Sequence, residues 1–171
     1  MLKTIASALG ALLIASPASA AWTNQHGAVI LEASDFPLTH RPLFNALDLA
    51  GVPVIDGHEW DQCAPGKDYY TAGFYLPTHN AIVLCTNSPA PDILSTFTHE
   101  AVHAVQDCRA GQENSYMSHG VQNHMVSALG QDELELIQEA YPVDQWMDEV
   151  EARYFSDSPG AVTTGVYRFC F

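Results

Sequence analysis

Residues 97–105 read FTHEAVHAV, and the fold prediction starts from them. This stretch contains an H-E-x-x-H motif, formed by His99, Glu100 and His103, among residues that are otherwise mostly apolar or small. The apolar spacing around the motif predicts a helix over about residues 92–108. Residues four apart lie on the same face of a helix, with Cβ atoms about 5–6 Å apart. The two imidazoles are therefore predicted to point in the same direction.

Two imidazoles on one helix face can bind a single Zn²⁺, because both reach it at Zn–N distances of about 2.0–2.1 Å. Glu100 is turned towards the position of a metal-activated water and can accept its proton as a general base. Burying two histidines without a ligand or partner would be costly. The motif therefore predicts one Zn²⁺ held by His99 and His103, with Glu100 catalytic. A structural histidine pair is the alternative.

The motif helix, with Thr98 before His99, resembles the active-site helix of the zincin metallopeptidases. The resemblance implies an enzyme, a zinc-dependent hydrolase of peptide bonds. It also implies a single α+β domain, with a small antiparallel or mixed sheet, an active-site helix and a later ligand-bearing helix. Residues 81–85 are similar in placement to the zincin edge strand, which pairs antiparallel with an extended peptide substrate. The metzincin branch is excluded, because Gln106 and Arg109 occupy its Gly and His positions.

The remaining resemblance is to the gluzincins, which implies a third ligand from a glutamate in an E-x-x-A context on a later helix. Glu149 matches this pattern, with Ala152 three residues on, and Glu151 is the alternative. In several gluzincins an acidic residue four positions after the ligand orients a zinc histidine. Arg153 occupies that position here and departs from the pattern.

Further candidates lie between and around the two predicted metal helices. His119 and His124 are candidates for substrate binding, for oxyanion stabilisation, or for the third ligand, with ordinary surface histidines as the alternative. Tyr154 is a candidate oxyanion donor, and the sequence does not separate it from Tyr116 and Tyr141.

The rest of the chain predicts short strands and helices around this motif, with residues 112–123 left open. A turn at residues 77–80 is predicted to join the third and fourth strands as a hairpin. The predicted strands cover residues 28–31, 52–55, 73–76, 81–85 and 161–171, and the other predicted helices cover residues 42–49, 133–140 and 143–155.

Residues 1–20 have the pattern of a cleavable secretory signal peptide. Lys3 precedes an apolar stretch over residues 5–15, and Ala18-Ser19-Ala20 supplies the small residues of a cleavage site. The apolar stretch is shorter than the roughly 20 residues of a membrane-spanning helix. We expect a mature domain of residues 21–171, secreted or periplasmic, without a membrane anchor.

The four cysteines predict two disulfide bonds, because an even number in an oxidising compartment favours pairing. Their separations of 22, 23 and 62 residues differ from the close pairs of a cysteine zinc site. Three pairings are open. Cys63–Cys85 with Cys108–Cys170 is favoured, because the first pair flanks the predicted hairpin.

Six basic and twenty acidic residues give a net charge of −14, and 47% of the residues are hydrophobic. This charge disfavours nucleic acid and anionic membranes as partners. The resemblance to the zincins implies a peptide or protein substrate. The sequence does not predict an oligomeric state. The alternative function is a non-catalytic exported zinc-binding or interaction module.

Overall fold

The computed structural model describes residues 29–63, 72–87, 90–109 and 119–171. The predicted signal peptide and Tyr116 lie outside these residues. The described chain forms one α+β domain with a four-stranded mixed sheet and six α-helices, which confirms the predicted fold class.

The strands are β1 (Val29–Ile30), β2 (Val54–Asp56), β3 (Gly73–Leu76) and β4 (Ala81–Leu84), in the spatial order β1-β2-β4-β3. β2 and β4 are parallel, and the other two pairs are antiparallel. The expectation that residues 81–85 form an edge strand is wrong, because β4 pairs on both sides and β3 lies at the edge. The continuous apolar sequence of β4 explains this position, since a strand buried on both faces needs apolar residues throughout.

The β3–β4 connection confirms the predicted hairpin. A short 3₁₀ turn over Pro77–His79 leads into Asn80, which has a left-handed backbone with φ 47°. Asparagine tolerates this conformation better than most residues. Its side-chain oxygen accepts a hydrogen bond of 2.9 Å from the Tyr75 hydroxyl, which ties the turn to β3.

The six helices are α1 (Arg41–Leu49), α2 (Ala90–Arg109), α3 (His119–Leu129), α4 (Gln131–Ala140), α5 (Trp146–Phe155) and α6 (Pro159–Phe169). Four of them were predicted, with ends that differ by a few residues. α3 begins within the stretch that the sequence left open.

The predicted closing strand over residues 161–171 is wrong, because this segment forms α6. Its β-branched and aromatic residues favour a strand by composition. However, Pro159 occupies the first turn, where proline is compatible with a helix. Val162, Val166 and Phe169 recur every three or four residues and pack against the core. Helical spacing therefore outweighed strand composition.

Helix α2 lies at the centre of the domain. It packs on β3 and β4 on one side and on α5 and α6 on the other. The main core joins apolar residues of α1, α2 and α6 to one face of the sheet, represented by Leu43, Phe97, Ala101, Ile82 and Val166. The helix that holds the H-E-x-x-H motif is therefore fixed on several sides.

Two disulfides confirm the favoured pairing. Cys63–Cys85 joins the loop after β2 to the end of β4, and Cys108–Cys170 joins the end of α2 to the end of α6. The Cα–Cα distances of 5.2 and 5.1 Å are typical of disulfides. The two bridges suggest an oxidising environment. Among the described residues, no helix has the length and apolar character needed to cross a membrane.

Candidate metal centre

Helices α2 and α5 bring three possible metal ligands together. His99 and His103 lie one helical turn apart on α2, and their Nε2 atoms are 3.2 Å apart. Glu149 of α5 faces them, with Oε2 at 3.4 Å from His99 Nε2 and Oε1 at 3.4 Å from His103 Nε2. The predicted convergence of the two imidazoles with Glu149 is therefore present, and this group could hold a metal ion.

The spacing and burial of these atoms fit a divalent ion. A tetrahedral ion with bonds of 2.0–2.1 Å separates its ligand atoms by about 3.3 Å. The distances between the imidazole nitrogens and the carboxylate oxygens are close to this value. Glu149 is only 6% exposed, and its Oε2 has no hydrogen-bond partner within the described part of the chain. A bound cation would satisfy this buried oxygen, which is costly to leave unpaired.

The proton affinities of the ligands reflect their closeness. Burial alone would raise the pKa of Glu149, but the adjacent His103 and His99 lower it to about 2. Burial alone would lower the pKa of His103, but Glu149, Glu100 and Gln106 raise it to about 9. Without metal, a proton on His103 therefore partly compensates the charge of Glu149, and a metal ion would replace that proton.

Glu100 lies beside the three ligands and is 7% exposed. Its pKa is raised, because burial outweighs the opposing effects of His99, His103 and a hydrogen bond from the Tyr75 backbone. A carboxylate whose pKa is raised towards neutrality is better suited to accept a proton than an exposed one. The contact with Tyr75 places Glu100 on the β3 side of the group.

Glu151, the alternative third ligand, has different partners. Its two oxygens accept hydrogen bonds from Arg109, at 3.1 Å from one guanidinium nitrogen and 2.5 Å from the other. The amide of Gln106 donates a further bond of 2.9 Å. The structure thus places Glu149, and not Glu151, in the group that could hold a metal ion.

Of the other candidates, His124 and Tyr154 make contacts with neighbouring aromatic rings. The exposed His124 packs edge-on against Tyr154 at 5.9 Å, and Tyr154 packs against Phe155 at 4.9 Å. These contacts belong to the packing of α3 against α5 and do not include the three ligands. α3 begins at His119, whose side chain lies outside the description.

Two residues at the site were not singled out from the sequence. The Tyr141 side chain hydrogen-bonds Glu149, and its pKa is raised by burial and by that carboxylate. No local pattern distinguishes it from other tyrosines. Gln106 accepts a bond of 2.8 Å from His103 Nδ1. Its position three residues after His103 on a helix is a usable signal. Asp107, the next residue on α2, accepts a bond of 2.9 Å from the Tyr75 hydroxyl.

Comparison with known proteins gives one match. A family described as "Domain of unknown function (DUF8637)" is similar to residues 88–171, which include α2 to α6, the three ligands and Glu100. No curated protein matches the chain. No solved structure matches it either.

Proposed function

We propose that this protein is an exported, zinc-dependent metallopeptidase of gluzincin-like type. His99, His103 and Glu149 would hold one Zn²⁺, and Glu100 would be the general base. The observation that supports this most directly is the convergence of His99, His103 and Glu149. Glu149 contributes a buried oxygen that accepts no hydrogen bond in the described part of the chain, and the buried carboxyl group of Glu100 lies beside the three side chains. A site that only bound metal would not need Glu100.

Zinc, when bound, supplies a Lewis acid that polarises a carbonyl group and lowers the pKa of water. The chain supplies the geometry for this chemistry. His99 and His103 are fixed by α2, which packs against the sheet and two other helices. Glu100 accepts the proton of the attacking water and returns it to the leaving amine. The raised pKa of Glu100 brings proton uptake closer to neutral pH.

An extended peptide substrate is proposed to lie along β3, the edge strand next to Glu100. Cys85 N donates a hydrogen bond to Ala72 O, so these two residues form a hydrogen-bonded pair. Hydrogen-bonded and non-hydrogen-bonded pairs alternate along an antiparallel ladder, so the backbone N–H and C=O groups of Gly73 and Tyr75 point away from β4. The Tyr75 backbone already contacts Glu100 on this side. A peptide that adds to this edge would therefore lie beside the general base.

Export is proposed from two features together. The first 20 residues have a signal-peptide pattern, and two disulfides join the described cysteines. The mature enzyme, residues 21–171, would act in the periplasm or outside the cell on peptides or unfolded proteins.

The test is a Glu100→Gln variant, with Glu59→Gln as a matched control at an exposed position. Hydrolysis of a quenched fluorescent peptide library and of an unfolded protein is measured alongside zinc content. We expect Glu100→Gln to keep about one zinc per chain and to lose at least 100-fold in rate, while Glu59→Gln keeps wild-type activity. Equal activity in the two variants would refute the mechanism. Zinc binding without turnover by the wild-type protein would support the non-catalytic module instead.

A further inference from the structure

A side-chain network leads away from the metal centre on the far side of His103. The Nδ1 atom of His103 lies 2.8 Å from the side-chain oxygen of Gln106. The Gln106 amide nitrogen donates to Glu151 Oε2 and to the backbone oxygen of Asp148, both at 2.9 Å. Gln106 thus joins the metal-bearing face of α2 to α5.

This arrangement fixes the orientation of the Gln106 amide. Its NH₂ group faces two acceptors that have no proton to donate, so its oxygen must face the imidazole. That oxygen can only accept a hydrogen bond, so Nδ1 of His103 carries a proton. The other ring nitrogen, Nε2, is directed towards His99 and Glu149, and it is the atom that gives up its proton to bind metal.

Arg109 holds the outer end of the network. It binds both oxygens of Glu151, which is 4% exposed. Bidentate pairing of this kind fixes geometry as well as charge. His103, Gln106 and Arg109 recur every three residues on α2, so one stripe of the helix holds all three.

Stability alone does not account for this ion pair, because well-packed apolar residues can often replace a buried pair at no cost to stability. Apolar residues in place of Arg109 and Glu151 would not orient the Gln106 amide. Arg153 occupies the position at which several gluzincins have an acidic residue that orients a zinc histidine. Here it contacts Glu133 on α4 at 3.5 Å.

We infer that Gln106, Glu151 and Arg109 are positioning residues that hold His103 in the tautomer and orientation needed to bind metal. The inference rests on the proposed metal centre, and deepens it. In this chain the histidine meets a neutral amide, and the carboxylate behind the amide is neutralised by Arg109. In the described structure, the Nδ1 atom of His103 therefore faces an amide oxygen and not a carboxylate.

The experiment measures the affinity of the purified protein for Zn²⁺, by competition with a chromophoric chelator. Gln106→Met removes the amide at similar length. Gln131→Met is the matched control on an exposed face of α4, where the Gln131 amide donates a hydrogen bond to Glu135. We expect Gln106→Met to weaken Zn²⁺ binding 10- to 100-fold, with the control unchanged. Visible absorption of bound Co²⁺ should shift in Gln106→Met, because the ligand geometry changes.

Two further variants keep the test decisive. If the Gln106→Met protein does not fold, as judged by circular dichroism, Gln106→Ala takes its place. Because Gln106 and Glu151 act through one chain of contacts, the double variant Gln106→Met/Glu151→Gln should bind Zn²⁺ no more weakly than Gln106→Met alone.

Zn²⁺ affinity within twofold of wild type in the Gln106 variant that folds, or losses that add in the double variant, would overturn the inference. The measurement is independent of catalysis. If the wild-type protein binds zinc but hydrolyses nothing, the proposed peptidase activity is refuted. A loss of Zn²⁺ affinity in Gln106→Met would still support the positioning role. A wild-type protein that binds no metal overturns both.

Discussion

Removal of the Cys108–Cys170 disulfide tests how the metal-bearing half of the domain is held together. The bridge closes a loop of 62 residues that includes α3 to α6, and with them Glu149. Loop-closure entropy for this separation predicts a loss of about 4 kcal/mol in the free energy of unfolding when both cysteines are replaced by alanine. For the 22-residue separation of Cys63 and Cys85 the same relation gives about 3 kcal/mol.

The assay is urea unfolding of the metal-free protein, followed by tryptophan fluorescence in the presence of a chelator. The free energy of unfolding is compared between wild type, Cys108→Ala/Cys170→Ala, and Cys63→Ala/Cys85→Ala as the second bridge variant. A loss of about 4 kcal/mol lowers the ratio of folded to unfolded protein roughly 1000-fold, which is readily measured. Amide hydrogen exchange should show that protection falls most in α6, which the bridge joins to α2.

A loss below about 1 kcal/mol in Cys108→Ala/Cys170→Ala would refute this reasoning. It would mean that packing of α6 on α1 and α2 already restricts the chain, so that the bridge adds little.

Three further predictions concern the site and its support. Because His103 has a pKa of about 9 in the metal-free protein, Zn²⁺ must displace its proton, and the affinity for Zn²⁺ should rise with pH up to about 9 and then level off, as measured by chelator competition. A Cβ atom at Gly73 would lie 2.7 Å from a backbone oxygen of β4 and 2.8 Å from the Thr96 methyl group, so Gly73→Ala should lose about 1–3 kcal/mol in urea unfolding, whereas Gly160→Ala, with open space around it, should lose none. Tyr141→Phe removes a hydroxyl beside Glu149 and should lower the rate of peptide hydrolysis at least tenfold while zinc content is kept.

Each of these predictions has an outcome that contradicts it. Zn²⁺ affinity that is flat between pH 6 and 9 would show that His103 binds no proton before the metal. Wild-type stability in Gly73→Ala would show that β3 and α2 can separate without cost. For the tyrosine, Tyr154→Phe is the control, because Tyr154 packs against His124 and Phe155 away from the ligands. Equal activity in the two phenylalanine variants would remove Tyr141 from the reaction.

The parts of the site that the sequence predicts are those set by local geometry. His99 and His103 are four residues apart on a strongly predicted helix, so their common face follows from helical geometry alone. The hairpin between Cys63 and Cys85 favoured their pairing over the two alternatives, and the structure confirms it. In both cases the prediction depends only on one helix or one hairpin, and not on how distant elements pack together.

The parts that the sequence left open depend on how elements pack. The choice between Glu149 and Glu151 required the position of α5 against α2, because the two glutamates lie only two residues apart on the same helix. The edge position of β3 required the order of strands in the sheet. The segment that forms α6 was predicted as a strand because its β-branched and aromatic residues favour strands. Its core contacts show that the helical spacing of Val162, Val166 and Phe169 decides the structure.

Tyr75 joins the strand and the helix at the point where a peptide is proposed to bind. Its backbone holds Glu100, while its hydroxyl donates to Asp107, seven residues further along α2. A movement of β3 is therefore passed to the carboxylate through one residue, without a flexible loop between them. If a bound peptide displaced β3 outward, Glu100 would be displaced with it, so peptide binding and proton uptake by Glu100 would be coupled.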